Sequence, residues 1–123
     1  MKKSAYQQSI LANDTLYTSG QLAIGSQGEL VGENDIHAQT IQALKNLERV
    51  LAEKGFGLEN ITSMMIFLQD IDRDFNGMDD AYREFFQSRK PSRATVEAKL
   101  FKSEFLIEIV SVAAKVADNR VEE

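Results

Sequence analysis

Residues 91–112, PSRATVEAKLFKSEFLIEIVSV, carry the pattern that decides the fold of this chain. Residues 93–100 alternate polar and apolar side chains, which is typical of a strand with one buried face. Residues 105–112 are apolar on both faces except at Glu108, which predicts a strand that is covered on both sides. Glu108 therefore stands on an apolar strand face, where a carboxylate must find a partner or take up a proton.

Arg93 follows the single proline of the chain and begins the first of these strands. One interpretation is a buried ion pair between Arg93 and Glu108. The other is that both line one pocket, in which the guanidinium binds a substrate carboxylate and the glutamate handles water. A simple hairpin of the two strands would also place Glu97 opposite Glu108, which is unfavourable. Either the strands are not neighbours, or one carboxyl has a raised pKa.

The rest of the chain predicts strands and helices in a fixed order. Two N-terminal strands flank a turn at Asn13-Asp14, and residues 61–68 form a strand that is buried on both faces. Residues 35–54 form a helix that is capped by Asn34 or Asp35 and stopped by Gly55. A second helix carries an aromatic stripe, interpreted as core, over residues 75–86 behind Asp72 or Asp74.

This order predicts one α+β domain spanning residues 1–123, a mixed sheet with two helices packed on one face. Because the last strand is apolar on both faces, the second face of the sheet must also be covered. With only two helices available, another copy of the chain is the natural cover, so we expect a homo-oligomer.

Composition excludes several classes of function. A net charge of -5 and scattered basic residues argue against a nucleic-acid or anionic-membrane surface, so small molecules and copies of the chain are the expected partners. The absence of cysteine excludes thiolate catalysis, and the lone His37 excludes paired-histidine metal sites. His37 lies in the first turn of the predicted helix, where the helix end lowers an imidazole pKa, and it is interpreted as a surface or capping residue. No signal peptide or membrane span is apparent, which predicts a cytoplasmic protein.

Seven stretches, in order along almost the whole chain, resemble the RidA (YjgF-like) family of reactive-imine deaminases. They are residues 6–10 (YQQSI), 16–21 (LYTSGQ), 35–36 with 39–40 and 42–47 (DI, QT and QALKNL), 67–70 (FLQD), Tyr82 with 85–86 (FF), 91–93 (PSR) and 107–109 (IEI). The resemblance implies a chorismate-mutase-like fold and a homotrimer with clefts between subunits. It also implies hydrolysis of 2-iminobutanoate or 2-iminopropanoate to 2-keto acids and ammonia, without cofactor or metal, as metabolite damage control.

The resemblance also implies roles for individual residues. Arg93 matches the arginine that binds the substrate carboxylate, and Glu108 matches the acidic residue that positions water and moves protons. Tyr6 would form one side of the cleft, and Gly20 would lie at its border. Thr95 stands where the family often has cysteine, and its hydroxyl can still form a hydrogen bond with a ligand.

Several positions depart from the family pattern. Asp79 stands at a substrate-binding position where asparagine is common, and its charge would weaken carboxylate binding if it faced the cleft. Ser4-Ala5, Phe101 and Val110 also differ, which indicates a divergent branch. The alternative function is a non-catalytic trimer that binds a small carboxylate or keto acid and regulates a protein partner. A ribonuclease activity, attached to some relatives, is disfavoured by the acidic balance and the missing catalytic histidine.

Overall fold

The computed structural model describes residues 4–87 and 90–115. Its elements follow the predicted order of strands, helix, strand, helix and two strands. They are β1 (Ser9–Ala12), β2 (Thr15–Thr18), α1 (Ile36–Ala52), a single 3-10 turn (Leu58–Asn60), β3 (Ile61–Leu68), α2 (Ile71–Phe85), β4 (Ser92–Glu97) and β5 (Ile107–Ala114). The α+β class is therefore confirmed.

The five strands form one mixed sheet in the order β1-β2-β5-β3-β4. Only β3 and β4 run parallel, and β5 lies in the middle, antiparallel to both β2 and β3. The strands β4 and β5 are consecutive in the chain but are not neighbours in the sheet. Glu97 therefore pairs with Leu68 of β3, whereas Glu108 pairs with Phe67, and the two carboxylates never face each other directly.

Both helices begin at an aspartate that caps the first turn. Asp35 accepts a hydrogen bond from the backbone N of Ala38 at 3.0 Å, as the sequence predicts. In α2 the cap is Asp70, which accepts from the N of Arg73 at 3.0 Å. The prediction of Asp72 or Asp74 was wrong because both of these residues already lie inside the helix.

The hydrophobic core lies between the two helices and one face of the sheet. Buried side chains from both helices join the inward residues of β2, β3 and β5 in one cluster, which includes Leu44, Leu47, Leu51, Met78, Leu16, Ile66, Leu68, Ile107 and Ile109. Both helices therefore cover the same face, as predicted. No helix in residues 4–87 and 90–115 is long and apolar enough to cross a bilayer.

None of the described residues covers the other face of the sheet, and we call it the open face. Strand registers place on it Ile10, Tyr17, Met65, Phe67, Ala94, Val96, Glu108, Val110 and Val112. Tyr17 is 50% exposed, and Met65 and Val96 are each 38% exposed. The strand β3, predicted to be buried on both faces, is thus buried on one face only within a single chain.

Candidate functional site

Arg93 lies on the edge strand β4, on the face of the sheet that packs against α2. Its partner in the register is the buried Met64, so its side chain starts from the helix-covered face. The guanidinium lies 4.7 Å from the centre of the Tyr82 ring and 5.7 Å from that of Phe75. These aromatic faces attract the cation and hold it in place.

The acidic partner of Arg93 is Asp79 of α2. Arg93 Nη1 donates to Asp79 Oδ1 at 2.8 Å, and Arg83 Nε donates to Asp79 Oδ2 at 2.9 Å. The side chains of Arg93 and Asp79 are only 21% and 19% exposed. Burial raises the pKa of Asp79, but the hydrogen bonds from the two arginines outweigh it, and the pKa lies below its usual value. Asp79 is therefore a carboxylate at neutral pH.

These residues surround a cavity of about 200 Å³, which we call the Arg93 cavity. It is lined by Asp79, Tyr82, Arg83, Lys90, Pro91 and Arg93. Asp79 uses a single Nη of Arg93, and no other described residue accepts a hydrogen bond from this guanidinium. The remaining N–H groups of Arg93 can therefore bind a carboxylate in the two-bond geometry that suits arginine.

Two hydroxyl groups beside Arg93 are buried without a partner among the described residues. They are the Oη of Tyr82 and the Oγ1 of Thr95. Burial raises the pKa of Tyr82, so its hydroxyl stays protonated at neutral pH and can donate a hydrogen bond. An unsatisfied buried hydroxyl costs roughly 1–3 kcal/mol, which a polar ligand or water can recover.

Glu108 lies on the open face, at the end of β5 that is paired with Phe67. Its carboxyl has no hydrogen-bond or ion-pair partner among residues 4–87 and 90–115. Burial raises its pKa above the ordinary value for glutamate. Glu108 therefore takes up a proton more readily than a surface glutamate does.

Gly20 makes room for this carboxyl. A Cβ atom added at Gly20 would overlap the carboxyl group of Glu108. The backbone beside it is held by reciprocal hydrogen bonds between Gln21 and Ile109, at 2.8 and 3.0 Å. Gly20 and Tyr6 also line a polar cavity of about 220 Å³, in which the Tyr6 side chain is 62% exposed.

The structure thus sorts the predicted site residues into two groups. Arg93 and Asp79 line the Arg93 cavity, and Thr95 lies on the same face of the sheet, where it pairs with Ile66. Gly20 and Tyr6 line the polar cavity, and Glu108 lies on the open face beside Gly20. Arg93 and Glu108 start from opposite faces of the sheet because their register partners, Met64 and Phe67, alternate along β3. A single chain therefore does not bring Arg93 and Glu108 into one pocket. It also excludes the ion pair between them, since the partner of Arg93 is Asp79.

The sequence analysis missed Tyr82 and Arg83 as parts of the Arg93 cavity. Tyr82 belongs to the aromatic stripe that is predicted as core, and it is only 3% exposed. The available signal was spacing, because Asp79, Tyr82 and Arg83 stand at i, i+3 and i+4 on one helix face. Within the described residues, no group of three histidine or acidic side chains is arranged to hold a metal ion.

Comparison with known proteins gives one consistent family. The model of a family described as endoribonuclease L-PSP matches residues 2–115. The human 2-iminobutanoate/2-iminopropanoate deaminase is 34% identical, covering 88% of this chain and 78% of its own length. The 3-aminoacrylate deaminase RutC of Acinetobacter baylyi is also 34% identical, covering 83% and 80%. The solved structure of the Rid-family protein YyfA from Yersinia pestis is 36% identical, with a TM-score of 0.85 and coverage of 93% and 90%.

Proposed function

The chain belongs to the RidA (YjgF-like) family, whose family model is described as endoribonuclease L-PSP, and on this premise we propose that it hydrolyses reactive 2-imino acids. The substrates are 2-iminobutanoate and 2-iminopropanoate, and the products are 2-keto acids and ammonia. The observation that carries the proposal is Arg93, a largely buried guanidinium with free N–H groups facing a small cavity. Such an activity, which we place in the cytoplasm, would hydrolyse the imines that pyridoxal-phosphate enzymes release.

The catalytic cleft in this proposal forms between two copies of the chain. The Arg93 cavity and the Glu108 carboxyl lie on opposite faces of the sheet, so a neighbouring copy must supply one of them. The apolar open face supports such an assembly, since its half-exposed Tyr17, Met65 and Val96 would be buried by a partner. We assign a homotrimer, in which each of three clefts takes Arg93 from one copy and Glu108 from the next.

In this cleft the carboxylate of the substrate binds to Arg93, and the hydroxyls of Thr95 and Tyr82 are available to its polar atoms. A water molecule beside Glu108 attacks the carbon of the C=N bond, and Glu108 accepts one of its protons. Attack on the iminium form of the substrate leaves a neutral carbinolamine, and Glu108 returns the proton to its nitrogen. The C–N bond then breaks and ammonia leaves, while the hydroxyl oxygen forms the C=O bond and gives its proton to Glu108, which passes it to the ammonia or to water. Positioning and one acid–base group are sufficient for this reaction.

The test is an assay with freshly generated 2-iminobutanoate, in which the release of ammonia above the spontaneous rate is measured. We expect turnover by the wild type and a loss of kcat/KM of about 10³-fold in Arg93→Ala, because the substrate carboxylate loses its charged partner. Sedimentation of both proteins checks the trimer. A wild type that does not exceed the spontaneous rate would exclude the proposed activity.

A second candidate is a non-catalytic trimer that binds a small carboxylate and regulates a protein partner. The observation in its favour is Asp79, which already occupies part of the Arg93 guanidinium. Calorimetry with 2-ketobutanoate separates the two functions. Binding that depends on Arg93, without any turnover of the imine, would support the regulator.

A further inference from the structure

Asp79 brings a negative charge into a cavity that otherwise carries positive charge. Its two oxygens lie 2.8 and 2.9 Å from Arg93 Nη1 and Arg83 Nε, and all three side chains line the Arg93 cavity. Two guanidinium groups and one carboxylate give this cluster a net charge of +1. A neutral side chain at position 79 would leave the cluster at +2, which favours any simple anion more strongly.

The substrate and product of the proposed reaction differ in the charge of the group on the carbon next to the carboxylate. A 2-imino acid protonated on nitrogen is a zwitterion, whereas the 2-keto acid is a plain anion. Asp79 Oδ1 lies 2.8 Å from Arg93 Nη1, so a ligand carboxylate bound to the remaining N–H groups of Arg93 would place its neighbouring carbon within range of the charge of Asp79. A carboxylate attracts the iminium nitrogen and has no such attraction for the ketone oxygen.

We propose that Asp79 is a specificity-determining residue, which shifts the selectivity of the Arg93 cavity away from the anionic keto acid product and towards the zwitterionic imino acid. This inference rests on the proposed function and concerns the same cavity. The charge of Asp79 weakens binding of the product and so reduces product inhibition, because hydrolysis removes the positive charge that Asp79 attracts. The carboxylate of Asp79 is fixed in position, because Arg83 and Arg93 each bind one of its oxygens.

The experiment measures two dissociation constants by calorimetry, with 2-ketobutanoate for the product and 2-aminobutanoate as a stable zwitterion. In the wild type we expect the ratio of the two dissociation constants to favour the amino acid more than it does in a variant that is neutral at position 79. In Asp79→Asn the keto acid should bind about tenfold tighter and the amino acid several-fold weaker, as expected for removing one charge at close range in a partly wet cavity. Asp79→Ser removes the same charge and should shift the ratio in the same direction.

Arg83→Gln is the matched control, because it changes the charge of the same cluster in the opposite direction. Removing a cation that neutralises Asp79 should weaken keto acid binding and increase the preference for the zwitterion. A merely structural Asp79 would not produce opposite shifts in the two variants. A ratio that both Asp79 variants leave unchanged, or shift towards the amino acid, overturns the inference while the deaminase proposal stands. A wild type that binds neither ligand overturns both.

Discussion

Arg93 and Glu108 are both ionisable and partly buried, but the surroundings of Arg93 stabilise its charged form and those of Glu108 disfavour it. Arg93 is surrounded by groups that stabilise its cation, namely Asp79 and the rings of Tyr82 and Phe75. Glu108 has no described partner, and burial raises its pKa. The first environment preserves a permanent charge, and the second favours exchange of a proton. Binding an anion and moving a proton need these two different environments, and the proposed cleft takes them from two copies of the chain.

The largest expected effect comes from changing the geometry of the Arg93 cation while its charge is kept. Arg93→Lys retains a positive charge but loses the planar group that forms two parallel hydrogen bonds and stacks on Tyr82. We expect kcat/KM for 2-iminobutanoate to fall by about 10² to 10³-fold. The matched control is Arg83→Lys, at the rim of the cavity, which should lose far less. No loss in either variant would show that only the charge of the cavity matters, and equal losses would contradict a special role for the planar group of Arg93.

The next effect concerns the proton at Glu108. Glu108→Gln keeps the size of the side chain and removes its acid–base function, so kcat should fall by about 10²-fold while binding of 2-ketobutanoate changes little. Steady-state rates and calorimetry on the same preparation make the comparison. Unchanged rates would show that Glu108 is structural.

The same variant predicts a change in the pH dependence of stability. Because the folded-state pKa of Glu108 is raised, the folded protein binds a proton more readily than the unfolded chain does. Its contribution to the free energy of unfolding is most favourable at low pH and declines as pH rises from the ordinary glutamate range through the raised value. We therefore expect Glu108→Gln to gain stability relative to the wild type over that rise. Denaturant unfolding at several pH values would show it, and a constant difference would contradict it.

A smaller effect is expected from closing the space beside Glu108. Gly20→Ala places a methyl group where the Glu108 carboxyl lies, so the carboxyl must shift or the backbone must move. We expect kcat to fall by about tenfold, since displacement of a catalytic group by less than 1 Å is costly. Gly57→Ala is the control, because its Cβ would meet the exposed Glu59 side chain, away from both cavities. Similar losses in both variants would point to general destabilisation.

The smallest expected effect comes from a charged pair on the surface. It measures how much an exposed ion pair contributes to the free energy of unfolding. His37 Nε2 and Glu84 Oε2 lie 2.9 Å apart, with 47% and 62% of their side chains exposed. The hydrogen bond to Glu84 raises the pKa of His37, which corrects the lowered value expected from the helix end. The stabilisation is present below the ordinary histidine pKa and is lost as pH rises through the raised value. His37→Gln should cost about 0.2–0.5 kcal/mol at pH 5.5 and nothing at pH 9 in urea unfolding.

Local patterns in the sequence predicted most of the fold correctly. The strand at residues 61–68 and the helix that follows Asp35 were confirmed, because a continuous apolar run and a capped 3.6-residue period are local signals. The cap of α2 was misplaced, since three aspartates stand within five residues and only backbone geometry selects Asp70. The pairing of strands was left open, and the structure separates β4 from β5 by inserting β3 between them.

For the site, the sequence by itself singled out Arg93 and Glu108 as candidates, because an arginine after proline and a glutamate within an apolar strand stand out from their neighbours. Only the tertiary structure decided which groups share a surface. The alternation of side chains along paired strands sends Arg93 and Glu108 to opposite faces, and the packing of α2 on β4 joins Asp79 to Arg93 across 14 positions of the chain. Partners of this kind depend on how helices and strands pack, which no local pattern of residues contains.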